Sequence, residues 1–224
     1  MSMVESMGDR KFTIAVWIGM AAVTLISIAS VVTGITPGIG PDRHPPEYLI
    51  ISNVAIFCLI SVIPVLRLSG LVKMPWWFNS ILIGDVYFYS VSLTLGFYLD
   101  PGIPWWGFLG HICSSIAVSS LVFLALCLVA AHSHGKISFG NDFGLLFITF
   151  MFSVALGGIW EVMEGYIDIV TGESYMSYGV LDSLGDLRAD CIGALIVCIG
   201  AALLLRRQTV EDIASRTHLG KRRQ

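Results

Sequence analysis

Glu161-x-x-Glu164-x3-Asp168 and, after a short gap, Asp182-x3-Asp186-x3-Asp190 set six carboxylates at helical spacing in a stretch whose only Lys or Arg is Arg188. An ionisable side chain at the centre of a spanning helix costs roughly 2.5 to 3.5 kcal/mol on insertion scales, so a group of them calls for a cation, a shared proton or a water-filled cavity. Glu161, Glu164 and Asp168 fall within about 60° of one another around a helix axis. The three aspartates drift by about 40° per step, which makes a second stripe. The connecting segment 170–181 contains Gly172 and Gly179. It is short enough to make the two helices antiparallel neighbours, with their stripes facing. Counting about 1.5 Å per residue from level outer ends pairs Asp168 with Asp182, Glu164 with Asp186 and Glu161 with Asp190, the last pair roughly 10 to 13 Å deep.

Facing carboxylates repel unless each rung shares a proton, binds a cation or opens to water. The expected metal ligands are Glu161, Glu164, Asp182, Asp186 and Asp190. Oxygen ligands alone favour Mg²⁺, Mn²⁺ or Ca²⁺, while recruitment of His111 extends the choice to Zn²⁺ or iron. No cysteine lies in register with the acidic stripe. The catalytic candidates are His111 and Asp190; the imidazole is the nearby group that titrates near neutrality. A lone histidine on an apolar helix is more often a packed, hydrogen-bonded residue, but this one is expected at the level of the carboxylates. Asp168, Glu173 and Asp182 also fit an ordinary solvated rim at a membrane surface, whereas Glu161, Asp186 and Asp190 fall a turn or more inside the apolar span.

The elements that carry these residues are membrane spans. With 55% hydrophobic and 13% charged residues, the 224-residue chain is far more apolar than a soluble domain, in which about a quarter of residues are charged. Apolar windows of the length that crosses about 30 Å of hydrocarbon fall at 12–35, 47–67, 76–99, 106–131, 143–167 and 182–205. The expected fold is all-α: a single polytopic domain over 1–224, a bundle of six transmembrane helices, with 206–224 as a basic cytoplasmic tail. The first run is longer than a signal-peptide core and is kept as a span. An inside N-terminus places Arg10, Lys11, Arg67, Lys73, Lys136 and the tail cations in the cytoplasm and leaves Arg43 outside, so both termini are expected to be cytoplasmic. The carboxylates then lie in the outer leaflet of a multi-pass protein of the cell membrane.

The remaining signals are structural. Cys58, Cys113, Cys127, Cys191 and Cys198 show no CxxC spacing and read as small packing residues. Pro75-Trp76-Trp77 and Pro104-Trp105-Trp106 read as interfacial anchors at helix starts. Asp85, midway along the span 76–99, should face the bundle interior, as a helix-joining hydrogen-bond partner or as part of a conduction path. The basic tail fits contact with anionic membrane lipids; no nucleic-acid partner is expected and no protein partner is indicated.

Gly110-His111 near the start of one helix, Glu161-x-x-Glu164 closing the next and Leu181-Asp182-x3-Asp186-x3-Asp190-x2-Gly193-Ala194-Leu195 opening the last resemble the YjdF-type inner-membrane family. More distantly, this order is similar to the VanZ-like membrane proteins. The resemblance covers roughly residues 100–205 and implies an α-helical membrane protein without a settled activity. It departs at Gly107, where the family often carries Asp. Glu161-x-x-Glu164-Gly165 and Asp182-x3-Asp186 are also similar to the paired metal-binding helices of CDP-alcohol phosphotransferases. In that comparison Glu replaces both leading Asp residues, Asp168-Ile169 stands in place of Ala-Arg, and the site faces outward, away from cytoplasmic CDP-linked substrates.

The leading functional expectation is a divalent-cation-dependent membrane enzyme acting on a lipid or polyprenyl phosphate, the metal polarising a phosphoryl oxygen or activating water. The competing expectations are a cation or proton transporter using the same acids together with Asp85, and a non-catalytic protein whose helices are held by a structural ion.

Overall fold

The computed structural model describes residues 72–97, 102–133, 135–172 and 179–219, with scattered helical positions between 14 and 58. The expected spans 12–35 and 47–67 therefore lie almost wholly outside the described residues. The elements are β1 (Val72–Lys73), α1 (Trp76–Leu95), α2 (Trp106–His132), α3 (Asp142–Thr171), α4 (Val180–Leu205), α5 (Val210–Ser215) and β2 (His218–Leu219). The two short strands are the only strand residues among those described, and the protein is otherwise helical. Three helices, α2, α3 and α4, are long and apolar enough to cross a membrane. They occupy the expected spans 106–131, 143–167 and 182–205 to within a turn at each end. α1 is a helix where one is expected, but Asn79, Asp85 and several hydroxyl-bearing residues dilute its apolar character, and it is not among the three.

The chain forms two compact units, Met1–Trp106 with Leu219–Gln224, and Gly107–His218. In the first, α1 carries Asp85 half-buried near its middle. Trp106 stacks on Phe88 at a centroid distance of 5.3 Å and meets Phe97 edge-on at 4.9 Å. The second Pro-Trp-Trp triplet is thus divided: Trp105 is exposed as an interfacial anchor would be, and Trp106 is a packing residue.

The second unit holds α3 and α4 side by side. α3 starts where the Asn141 side chain accepts a hydrogen bond from the Gly144 N–H at 2.9 Å. It ends at Gly172, whose left-handed backbone (φ 72°) lets its N–H reach the Asp168 carbonyl at 3.0 Å. That cap carries the helix a turn past residue 167, so Asp168 stays helical. Hydroxyls within the apolar run bond their own helix: Thr149 donates to the Leu145 carbonyl at 2.8 Å and Ser153 to that of Thr149 at 2.7 Å. Outward, α3 presents Phe143, Phe147, Phe152, Ile159, Val162 and Ile169, an apolar face suited to lipid.

Part of the expected basic tail is helical. Thr209 accepts from the Asp212 N–H at 3.1 Å and the Asp212 carboxylate accepts from the Thr209 N–H at 3.0 Å, a reciprocal cap that starts α5. The Thr209-x-x-Asp212 spacing is the sequence signal for it. The backbone N–H of Thr209, more than its hydroxyl, holds the Asp212 carboxyl below its ordinary range. A lowered folded-state pKa contributes stability that is complete above the unfolded value of about 3.9 and is lost as pH falls through the folded one. Thr209→Ala should cost α5 about 1 kcal/mol, read as faster hydrogen exchange at the Ile213 amide. Acidification below about pH 4 should lower protection at the same amide in wild type and variant alike, because Thr209→Ala keeps the backbone N–H that holds the Asp212 carboxylate.

Candidate functional site

Three helices of the second unit meet at the acidic residues. His111 on α2 and Asp186 on α4 approach with Nε2 to Oδ2 at 3.5 Å. One turn on, the Ser115 hydroxyl donates to the Asp190 carbonyl at 2.8 Å. Because 111 meets 186 and 115 meets 190, α2 and α4 run in the same direction. Gly193 allows the approach: a Cβ there would lie 2.7 Å from both the Ile112 carbonyl oxygen and the Ser115 Cβ. A side chain at 193 would therefore force α2 away.

α3 runs antiparallel to α4, and a glycine again sets the register. A Cβ at position 157 would overlap the Asp190 carboxylate, and one at 158 would lie 3.8 Å from Leu187. Further along, the Cys198 thiol reaches the Leu146 carbonyl at 3.4 Å. The stripes face each other, but one turn out of the register that level helix ends imply. Asp190 lies directly against Gly157, with Glu161 still among its charged neighbours, and Glu161 is brought to Asp186. The reason is steric: the missing side chain at 157 admits the Asp190 carboxylate, and helix-end counting carries no information about that.

One donor atom from each of His111, Glu161 and Asp186 lies within 4.8 Å of the others. Glu161 is 7% exposed, and its buried Oε1 accepts no hydrogen bond from any described residue. The other expected ligands stand outside this trio. Glu164 is buried and accepts a 2.7 Å hydrogen bond from the indole N–H of Trp160, a partner its sequence position gives no hint of except the i, i+4 spacing. Asp190 is buried one turn deeper, and Asp182 is half-buried in the first turn of α4. Asp168 is half-buried near the end of α3, and Arg188 is exposed. The trio can hold a cation between two carboxylates and an imidazole, or share a proton among them.

A buried carboxylate oxygen without a donor is a site of stored cost, since an unsatisfied buried polar group is worth about 1 to 3 kcal/mol against the fold. In chelator-treated protein, Glu161→Leu should raise stability by about that amount, measured as thermal unfolding in detergent. A loss of stability in the metal-free variant would mean that Glu161 has a protein partner.

A family model described as "Predicted membrane protein (DUF2238)" matches residues 17–207. No curated protein and no solved structure matches.

Proposed function

The chain belongs to the DUF2238 family of predicted membrane proteins, and from that premise we propose that it is a divalent-cation-dependent enzyme acting on a lipid or polyprenyl phosphate, with its ion held by His111, Glu161 and Asp186. The observation that carries the reading is the trio itself: three ligand atoms within 4.8 Å, one of them on a carboxylate whose Oε1 is buried without a donor. A cation answers both the mutual repulsion of Glu161 and Asp186 and the unmet acceptor on Glu161. The proposed setting is a six-helix bundle in the cell membrane with both termini cytoplasmic, which puts the trio in the outer leaflet.

Three protein ligands leave positions on the ion for a substrate oxygen and a water, the arrangement that polarises a phosphoryl group or activates a nucleophile. Asp190, one turn deeper on the same face of α4, is the carboxylate that remains for proton transfer. Lipid is the favoured source of the phosphate because the ligands sit on spanning helices whose outward faces are apolar, with Trp160 half exposed beside Glu161.

The test is release of inorganic phosphate from lipid and polyprenyl phosphates in mixed micelles, with divalent ion supplied. The wild type should turn over at least one of these substrates, and Glu161→Gln should lower the rate by about 100-fold or more. Metal-loaded wild type that hydrolyses none of them would overturn the enzymatic reading.

A further inference from the structure

We infer that the ion is a borderline transition metal of the Mn²⁺, Fe²⁺ or Zn²⁺ class, in preference to Mg²⁺ or Ca²⁺, and that His111 is the residue that makes the distinction. The inference rests on the cation reading above and deepens it. Ca²⁺ takes six to eight oxygen ligands, and Mg²⁺ keeps most of its waters in a near-ideal octahedron. The trio offers two carboxylates and one imidazole from three different helices. Of the nearby oxygens, two have partners of their own. Glu164 Oε1 accepts from Trp160, and the Ser115 hydroxyl donates to the Asp190 carbonyl. The Asp190 carboxylate touches Gly157 and has His111, Glu161 and Asp186 as its charged neighbours, so it is the carboxylate placed to extend the set. With or without Asp190 the set mixes an imidazole nitrogen with carboxylate oxygens, and that nitrogen is what suits it to Mn²⁺, Fe²⁺ and Zn²⁺.

The separation of two of the ligand atoms counts against Mg²⁺. Neighbouring donors on octahedral Mg²⁺ stand roughly 2.9 Å apart, closer than the roughly 3.4 Å found both on tetrahedral Zn²⁺ and on Ca²⁺ with its longer bonds. His111 Nε2 and Asp186 Oδ2 are separated by 3.5 Å. The burial of Glu161 acts in the same direction, because a buried site disfavours an ion that dehydrates reluctantly. The imidazole must be neutral to bind metal, so the close approach of His111 and Asp186 becomes a shared ligand edge instead of an ion pair.

The experiment is equilibrium binding of Zn²⁺, Mn²⁺, Mg²⁺ and Ca²⁺ to chelator-stripped, full-length protein in detergent. Alongside it runs pulsed electron paramagnetic resonance of the Mn²⁺-loaded form. One Zn²⁺ or Mn²⁺ should bind per chain, on the order of 100-fold tighter than Mg²⁺ or Ca²⁺. The Mn²⁺ signal should show coupling to an imidazole nitrogen that is absent in His111→Asp, and that variant should bring the four affinities to within about tenfold. Equal affinities in the wild type, or Mn²⁺ without nitrogen coupling, would overturn this inference and leave the cation reading standing. Failure of all four ions to bind the wild type would overturn both. The wild-type selectivity and the nitrogen coupling need no variant, so a fold defect in His111→Asp would not hide the answer.

Discussion

Asp186→Asn should weaken Mn²⁺ binding to the purified protein by more than about 100-fold, since even residues that merely support a metal ligand cost 10- to 100-fold when replaced. Asp186 is the residue within 3.5 Å of His111 and also the α4 member of the trio, so its neutral amide removes a charge and a ligand together. Asp142→Asn is the matching control. It removes the same charge from the first turn of α3, about 28 Å along the helix from Glu161, where an exposed carboxylate is screened by solvent. Titration calorimetry should separate the two variants clearly. A similar loss in both would assign the effect to net charge and remove Asp186 as a ligand.

The second large effect is expected at Gly193. Leucine there must displace the Ile112 carbonyl or Ser115, each 2.7 Å from where the new Cβ would sit, and neither is the flexible end of a long side chain. Overpacking of this kind costs typically 1 to 3 kcal/mol, and it should also move α2 and with it His111 away from Asp186. Gly193→Leu is therefore expected to melt at lower temperature and to bind Mn²⁺ about 10- to 100-fold more weakly. Gly200→Leu, two turns further along α4, meets nothing within 4 Å and should leave both quantities near wild type. Equal behaviour of the two variants would show that the α2–α4 approach does not position the ligands.

These two positions also mark where sequence reading stops. The existence of α2, α3 and α4 is legible because each is a long apolar run, bounded in turn by Pro104, Asn141 and Gly179. The two acidic stripes are legible because a 3.6-residue period puts i, i+3, i+4 and i+7 on one face. Register is not legible. It depends on side chains that are missing, Gly157 opposite Asp190 and Gly193 opposite Ser115, and a glycine in a helix does not announce which neighbour it admits. The same holds for the pairing of Glu161 with Asp186 and for the Trp160 hydrogen bond to Glu164. His111 is legible only as a polar residue in an apolar run; its meeting with Asp186 is a contact across 75 residues of sequence. Conversely, the cap that starts α5 is fully written in Thr209-x-x-Asp212, masked by the basic residues around it.

The most direct test of the account is the metal content of detergent-purified wild-type protein, measured by inductively coupled plasma mass spectrometry beside Glu161→Gln. The account predicts about one divalent transition-metal ion per chain in the wild type, and its loss in the variant with helical circular dichroism unchanged. Wild-type protein that stays metal-free after incubation with divalent ions, or a Glu161→Gln variant that keeps its metal, would contradict it.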